Sequence, residues 1–354
     1  MKVIILSTYP ATTAPGQRFR YEQYLPYLES CGVKIRHSAF LSENTWNIYY
    51  KKGKTFQKTI GIMFGFIRRF YTIMTIHKYN HVYIYREAAP IGPPIFEWIL
   101  AKVLRKKYIY DFDDAIWLPN YSESNARFQN LKAYWKVNYC MKWAHRVTAG
   151  NDYLANYARQ FNDNVQVIPT TIDTLNLHNL TSNLSPEKII IGWTGTHTTM
   201  HYLNEIVPVI EELEQQFSFE YRIISNEAPN FKLKSLKFVP WSKTTEIEDL
   251  AQITIGIMPL KEDQWSNGKC GFKALQYMSL GIPTIASPVG VNTQIIQHGE
   301  NGIIANNEDE WKAALVSLLT NVLLREKIGK LGKQTIIERY SVLANKNKYL
   351  QLFQ

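Results

Sequence analysis

The sequence feature that most constrains the fold is a regular alternation of strand-like and helix-like segments. Short apolar runs such as KVIILS (2–7), NHVYIYR (80–86) and KYIYDF (107–112) are separated by longer amphipathic segments. This alternation is typical of a parallel, doubly wound sheet, in which a helix connects each strand to the next. The chain is therefore predicted to be an α/β protein.

A polar segment, TSNLSPEK, interrupts the alternation, which then restarts at KIIIGWTG (188–195). The 354 residues suffice for two domains of ordinary size. We predict two Rossmann-like doubly wound domains facing a cleft. The predicted boundaries are 1–180 for an N-terminal domain, 181–187 for a linker, 188–335 for a C-terminal domain, and 336–354 for a helix packing back on the N-terminal domain.

The N-terminus, MKVIILSTYP, is interpreted as a first strand rather than a signal peptide. The apolar stretch at 60–74 contains Arg68 and Arg69 and is shorter than the roughly 20 residues that a spanning helix needs. The three cysteines have no metal or redox spacing. We expect reduced thiols and a cytoplasmic protein.

The net charge of +10 comes from the first half of the chain, where no Asp or Glu occurs between Glu43 and Glu87. Basic residues alternate there with aromatic ones, which suits contact between residues 46–80 and an anionic membrane surface. A surface helix with a solvated basic face is the plain alternative. Nucleic acid is a further alternative, but no nucleic-acid motif occurs. We expect peripheral association with the inner face of the cell membrane.

Three loops of the second half follow a strand and precede a helix, namely 192–200, 259–273 and 287–294. Their glycines allow a ligand to approach the backbone closely, and a helix N-terminus attracts anions. Neither the dinucleotide fingerprint nor the P-loop motif is present. The loops are therefore predicted to bind a ligand in some other way.

The stretch NGKCGFKALQYMSLGIP (267–283) places two lysines at the start of a predicted helix, where they oppose the helix dipole. On a helix, Lys269, Lys273 and Gln276 would lie within about 60° of one another. An arrangement that costs stability suggests an anionic ligand such as a diphosphate. Solvated surface lysines are the alternative.

Residues 188–341 resemble the C-terminal domain of family 4 glycosyltransferases, which are retaining GT-B enzymes. The resemblance rests on GWTGTH, GIMPL, NGKCGFKALQYMSLGIPTIASPVG, HGENGIIA and ERYS. It implies the GT-B architecture, in which the N-terminal domain (1–180) binds the acceptor and the C-terminal domain (188–335) binds a nucleotide diphosphate sugar as donor. The family's two glutamates, eight positions apart, fall on Gly268 and Gln276, so this chain departs from the family at both.

The resemblance implies a donor-binding set in which the lysines hold the diphosphate, so that neither a metal nor another cofactor is required. The predicted donor-binding residues are Gly16, Thr194, Gly195, Thr196, Trp241, Lys269, Gly271, Phe272, Lys273, Gln276, Val289 and Gly290. Trp241 is interpreted either as stacking on the base or as a core aromatic.

The first half offers a loop with Gly16, Arg18 and Arg20 and a strand end, YIYDFDDAIW, with three aspartates. Crowded carboxylates cost stability and often mark a functional site. Asp111 and Asp113 formally match the D-x-D metal motif, which belongs to enzymes of a different, single-domain fold. The predicted acceptor-binding residues are Arg20, Arg86, Asp113 and Asp114, and the predicted catalytic residues are Asp113, Lys269, Lys273 and Arg18.

The predicted function is transfer of a sugar from a UDP- or GDP-sugar, with retention, to a glycan or a polyprenyl-linked acceptor in bacterial surface polysaccharide biosynthesis. Two alternatives remain open at this point. One is a nucleotide-sugar epimerase of the same fold, and the other is a nucleotide-binding partner without catalytic activity.

Overall fold

A computed structural model describes residues 1–51, 53–119, 131–184 and 187–354. The chain divides into two compact units. The first unit comprises Met1–Thr170 together with Lys346–Gln354, and the second comprises Thr171–Asn345.

Each unit is built on a sheet of six parallel strands. The strands of the first sheet are β1 (Lys2–Ser7), β2 (Lys34–Ala39), β3 (His81–Tyr85), β4 (Tyr108–Phe112), β5 (Arg146–Ala149) and β6 (Val165–Val167). Those of the second are β7 (Ile189–Gly195), β8 (Phe219–Ser225), β9 (Leu236–Pro240), β10 (Ile255–Met258), β11 (Thr284–Ala286) and β12 (Ile303–Ile304). The strand orders are β2-β1-β3-β4-β5-β6 and β12-β11-β10-β7-β8-β9.

Helices connect the strands of both sheets. In the first unit they are α1 (Pro15–Arg20), α2 (Leu25–Ser30), α3 (Glu43–Tyr49), α4 (Thr55–Met74), α5 (Ile95–Trp98), α6 (Lys136–Trp143) and α7 (Asp152–Ala158). The second unit contains α8 (His197–Met200), α9 (Val207–Leu213), α10 (Glu246–Ala251), α11 (Gln264–Asn267), α12 (Phe272–Ser279), α13 (Asn292–Ile295), α14 (Glu308–Thr320) and α15 (Val322–Thr335), and α16 (Val342–Gln351) ends the chain.

The central strands are buried because both faces of each sheet are covered. Every residue of β4 and of β8 is buried, including the charged Asp111, Glu220 and Arg222. Largely apolar runs of this kind are typical of a parallel sheet covered on both faces. The predicted class, two Rossmann-like doubly wound units, is confirmed.

The boundaries of the units differ from the predicted ones by about ten residues at two places. Residues 171–180, predicted in the first domain, belong to the second unit, as do residues 336–345. The two segments are bound to each other there, since the N–H of Ile172 donates to the carbonyl of Tyr340 at 2.9 Å. Of the predicted linker 181–187, residues 185 and 186 lie outside the described residues.

The last nine residues belong to the first unit. Tyr349 stacks on Tyr24 with ring centroids 3.8 Å apart, and its hydroxyl donates to the carbonyl of Arg20. Among the described helices, none is long and apolar enough to cross a membrane.

Candidate functional site

The predicted loops of the second unit lie where ligands bind in doubly wound sheets. β7 and β10 are neighbours, and the chain continues from β7 to β8 on one side and from β10 to β11 on the other. The carboxyl ends of such strand pairs leave a crevice at the reversal point. The loops that follow β7 and β10 therefore meet at this edge of the second sheet.

The two lysines of the loop after β10 do not share a helix, so the predicted stripe is wrong. α12 begins at Phe272, and Gly271 before it has a φ of +68°, which ends any continuous helix from Lys269. Only glycine adopts this conformation without strain. Lys269 lies between α11 and α12, while Lys273 is the second residue of α12.

Each lysine instead projects over its own tryptophan. Nζ of Lys273 lies 5.6 Å from the ring centroid of Trp193, and Nζ of Lys269 lies 4.7 Å from that of Trp265. Cation–π contact holds an ammonium group in place without neutralising its charge. Both lysines are half-buried, so two oriented positive charges stand at the start of α12.

Gly195 lets the chain after β7 run close to Lys273. A Cβ at Gly195 would lie 3.0 Å from Cε of Lys273 and 2.5 Å from the ring of Trp193. Thr194 is buried, and its N–H donates to the hydroxyl of Tyr277 at 2.8 Å. Thr196 is exposed at the start of α8. The structure thus brings Lys273 together with the predicted Gly195.

Gln276 is buried inside the unit and does not extend a polar surface from the lysines. Its Nε2 donates to Oε1 of Glu246 at 3.4 Å and lies 3.5 Å from Nε2 of His178. Glu246 is itself buried at the start of α10. A carboxylate therefore stands beside the position where the resembled family has its second glutamate.

This geometry predicts that Gln276→Glu destabilises the protein by about 1–3 kcal/mol at pH 8. The introduced carboxyl would be buried beside Glu246, and both effects raise its pKa in the folded state. The unfolded chain then ionises more easily, so the loss is greatest at high pH. The loss of stability decreases as the pH falls toward about 4.3, the ordinary pKa of a glutamate side chain.

Urea unfolding of Gln276→Glu between pH 5 and pH 8 measures this effect. Gln297→Glu, at an exposed position, is the matched control and should change stability little at any pH. A destabilisation independent of pH would show that the two side chains do not interact.

Two further predicted donor residues follow β11. Val289 is buried, so only its backbone can face a ligand. Gly290 has a φ of +56°, and a Cβ there would lie 3.1 Å from the carbonyl oxygen of Asn267. Gly290 therefore permits close packing against the end of α11. Trp241 packs against the core that includes Ile247, which fits the core-aromatic interpretation; stacking on a base stays a prediction.

In the first unit, the predicted acceptor residues that follow β3 and β4 contact one another. Oδ1 of Asp113 accepts hydrogen bonds from the Tyr85 hydroxyl and from Nε of Arg86, both at 2.8 Å. Arg86 also pairs with Asp114. Burial alone would lower the pKa of Arg86, but Asp113 and Asp114 raise that pKa well above its ordinary value.

The backbone at Arg86 is strained, with a φ of +62°. Such a conformation in a non-glycine residue costs of order 1–3 kcal/mol and is concentrated at functional sites. The neighbouring Glu87 pairs with Lys136 at 2.9 Å. Arg86 is aimed instead at the two aspartates.

The loop after β1 reaches the same aspartate. A Cβ at Gly16 would lie 3.4 Å from Oδ2 of Asp113 and 2.4 Å from the Tyr85 hydroxyl, so this place admits only glycine without displacement. Arg18, two residues on, is half-buried on α1 with its guanidinium over the Phe19 ring. The predicted Gly16, Arg86, Asp113 and Asp114 thus form one cluster, which we call the aspartate cluster.

Arg20 does not belong to the aspartate cluster, and its predicted role in acceptor binding stays a prediction. Its side chain is buried, and its Nη2 lies 2.6 Å from Oδ1 of Asp111. Asp111 also accepts a hydrogen bond from Thr148. The first aspartate of the D-x-D match therefore lies in the core, within β4, whereas Asp113 follows the end of that strand.

Several residues near these loops escaped the sequence analysis. Trp265 stands four positions before Lys269, a spacing that could have suggested contact. Glu246 is separated by 30 residues from Gln276, and no local pattern links the two. Tyr85 is the last residue of an apolar strand, so the sequence indicates a core residue. In the structure its hydroxyl donates a hydrogen bond to Asp113.

Comparison with known proteins agrees with this geometry. Residues 188–321, within the second unit, match the family described as Glycosyl transferases group 1. No curated protein sequence matches the chain significantly.

Solved structures share the fold over nearly the whole chain. Sucrose-phosphate synthase from Thermosynechococcus elongatus superposes with a TM-score of 0.70 at 13% identity, covering 99% of this chain and 98% of that one. A glycosyltransferase from Rickettsia africae ESF-5 gives 0.70 at 15% identity with coverages of 99% and 98%. Anabaena HepE, in complex with UDP and glucose, gives 0.65 at 14% identity with coverages of 99% and 99%. Identities this low establish the shared GT-B fold and no more.

Proposed function

We propose that the chain is a retaining glycosyltransferase that takes its sugar from a nucleotide diphosphate sugar bound by the second unit. The observation that carries the proposal is the pair of oriented lysines, Lys269 and Lys273, at the crevice of the second sheet. The N-terminus of α12 adds backbone N–H groups that favour an anion at the same place. The match of residues 188–321 to a glycosyltransferase group supports this assignment.

In the proposed reaction, the bond between the sugar and the diphosphate breaks and the diphosphate leaves with the electron pair. Lys273 and Lys269 stabilise the negative charge that develops on the leaving oxygen, as preorganised charges do in a partly desolvated site. We propose that these ammonium groups make a metal unnecessary. The acceptor hydroxyl then attacks from the face that the diphosphate has left, and its proton passes to the departing diphosphate oxygen. The role of Arg18 toward the diphosphate stays a prediction.

The acceptor is proposed to be a glycan or a polyprenyl-linked sugar used in bacterial surface polysaccharide synthesis. Asp113, fixed by Tyr85 and Arg86, would contact the transferred sugar or the acceptor hydroxyl. The supporting observation is that polar side chains at the carboxyl ends of two neighbouring strands converge there, and the strained backbone of Arg86 lies among them.

The donor is tested by thermal unfolding of the whole chain with UDP, GDP, ADP, CMP and their sugars. We expect one diphosphate to stabilise the protein, since a ligand at 100 times its Kd contributes about 2.7 kcal/mol. The matching sugar nucleotide is then incubated with lipid extracts in EDTA, and sugar transferred to lipid is measured. Isomerised donor without acceptor would favour the epimerase, and binding without transfer would favour the non-catalytic partner.

A further inference from the structure

The long helix α4 of the first unit buries polar as well as apolar residues. Its buried residues are Gly65, Arg69, Thr72 and Ile73. Arg69 is satisfied there, because its guanidinium donates to the carbonyls of Ala88 at 2.9 Å, Ser38 at 3.0 Å and Ser7 at 2.8 Å. The inward face of the helix therefore includes a charged side chain whose hydrogen bonds are made within the protein.

The outward face of α4 is a row of large apolar side chains, each exposed by 36–78%. We call this row the apolar stripe; it consists of Phe56, Ile60, Met63, Ile67, Phe70 and Met74. At about 100° per residue these positions span about 80° of the helix surface, opposite Arg69 and Thr72. Contiguous exposed apolar surface of this extent marks an interaction site in a folded protein.

One edge of the apolar stripe packs against the neighbouring helix. Phe70 contacts Phe96 of α5 edge to face, with ring centroids 4.9 Å apart. Trp98, two residues along the chain from Phe96, is exposed. An open groove with a volume of about 530 Å³ runs along the other edge, lined by Phe64, Ile67 and Arg68 among others.

The charges at the N-terminal end of the apolar stripe decide what covers it. The sequence has no Asp or Glu from residue 44 to residue 86, whereas the exposed Lys51 and Lys54 lie just before α4. Two copies pairing through this helix would bring like charges together, whereas paired helices place opposite charges beside their apolar seam. An anionic lipid surface satisfies both the apolar stripe and the positive charges.

We propose that α4 docks on an anionic lipid bilayer, with the apolar stripe in the headgroup region and the lysines against lipid phosphates. This surface belongs to the first unit alone and does not depend on the glycosyltransferase proposal. If both hold, membrane docking delivers the enzyme to a lipid-linked acceptor. The occupant is a bilayer rather than a free phosphate, because a free ion would leave the apolar stripe in water.

The proposal is tested with the full chain and sedimented vesicles of phosphatidylcholine, with and without 30% phosphatidylglycerol (roughly the anionic content needed for a negative surface). We expect binding to the anionic vesicles that weakens as NaCl is raised to several times the physiological level. The variant Met63→Ser, Ile67→Ser, Phe70→Ser should bind at least about tenfold more weakly. Lys51→Glu with Lys54→Glu should lose the preference for anionic vesicles.

The matched control is Leu175→Ser, Leu323→Ser, Leu343→Ser, three exposed leucines of the second unit, which should bind vesicles as the parent does. Circular dichroism establishes that each variant is folded. Equal loss of vesicle binding in both triple variants would overturn the proposal. So would absence of vesicle binding by the parent, or a parent dimer in light scattering that the α4 variant alone dissociates without any vesicle binding.

Discussion

Replacing Lys273 with alanine is expected to lower the rate of sugar transfer by about 10²–10³-fold. The ammonium group, held over Trp193, would no longer stabilise the charge on the departing diphosphate. The same change should leave the nucleotide-free protein as stable as before or slightly more stable, because it removes a positive charge from the N-terminus of α12. Transfer rate, nucleotide Kd and thermal midpoint are measured together.

A lower transfer rate together with unchanged or higher stability distinguishes a functional lysine from a structural one. A side chain kept for stability would lower the thermal midpoint when removed, and the rate would fall only in proportion to unfolding. Lys261→Ala, on an exposed residue of the same loop, is the matched control and should change neither quantity. If Lys273→Ala transferred sugar normally and still bound the nucleotide, the phosphate assignment would be wrong.

The sequence predicted the strands well because parallel strands buried on both faces are largely apolar. It also located the strand ends, and with them Lys273, Gly195 and Asp113, since the alternation fixes where each strand stops. Local patterns carry this information, as each strand and its following loop are contiguous in the chain.

The partners of those residues could not be predicted, because they are distant in sequence. Gln276 meets Glu246 across 30 residues and Arg20 meets Asp111 across 91. Nothing in a local pattern distinguishes an arginine that serves a ligand from one that is buried with a carboxylate. Arg18 and Arg20 are only two positions apart, yet only Arg20 is fully buried.

The predicted start of α12 was wrong because of a local backbone conformation rather than a distant contact. A run of helix-compatible residues around Lys269 predicted a continuous helix, while the left-handed backbone of Gly271 breaks it. Glycine is tolerated within helices as well as at their ends, so the residue alone does not settle the conformation. The consequence is chemical, since the two lysines reach the crevice from separate elements.

The second large effect is expected at Arg20, where Arg20→Met should lower the free energy of unfolding of the first unit by about 3–5 kcal/mol. The substitution leaves the Asp111 carboxylate buried without its guanidinium partner. It also removes the donor to the carbonyl of Ile168 at the end of the sheet. Urea unfolding followed by first-unit probes measures the loss, and Arg159→Met, at an exposed position, should cost less than about 0.5 kcal/mol.

Removing both charges distinguishes an ion-pair effect from a simple loss of packing. The double variant Arg20→Met, Asp111→Leu should be more stable than Arg20→Met alone, because no unpaired charge stays in the core. A double variant less stable than the single one would show that the arginine stem and its hydrogen bond to Ile168 matter more than the charge. If Arg20→Met instead kept full stability and lost only acceptor affinity, Arg20 would have the role at the acceptor that its sequence position first suggested.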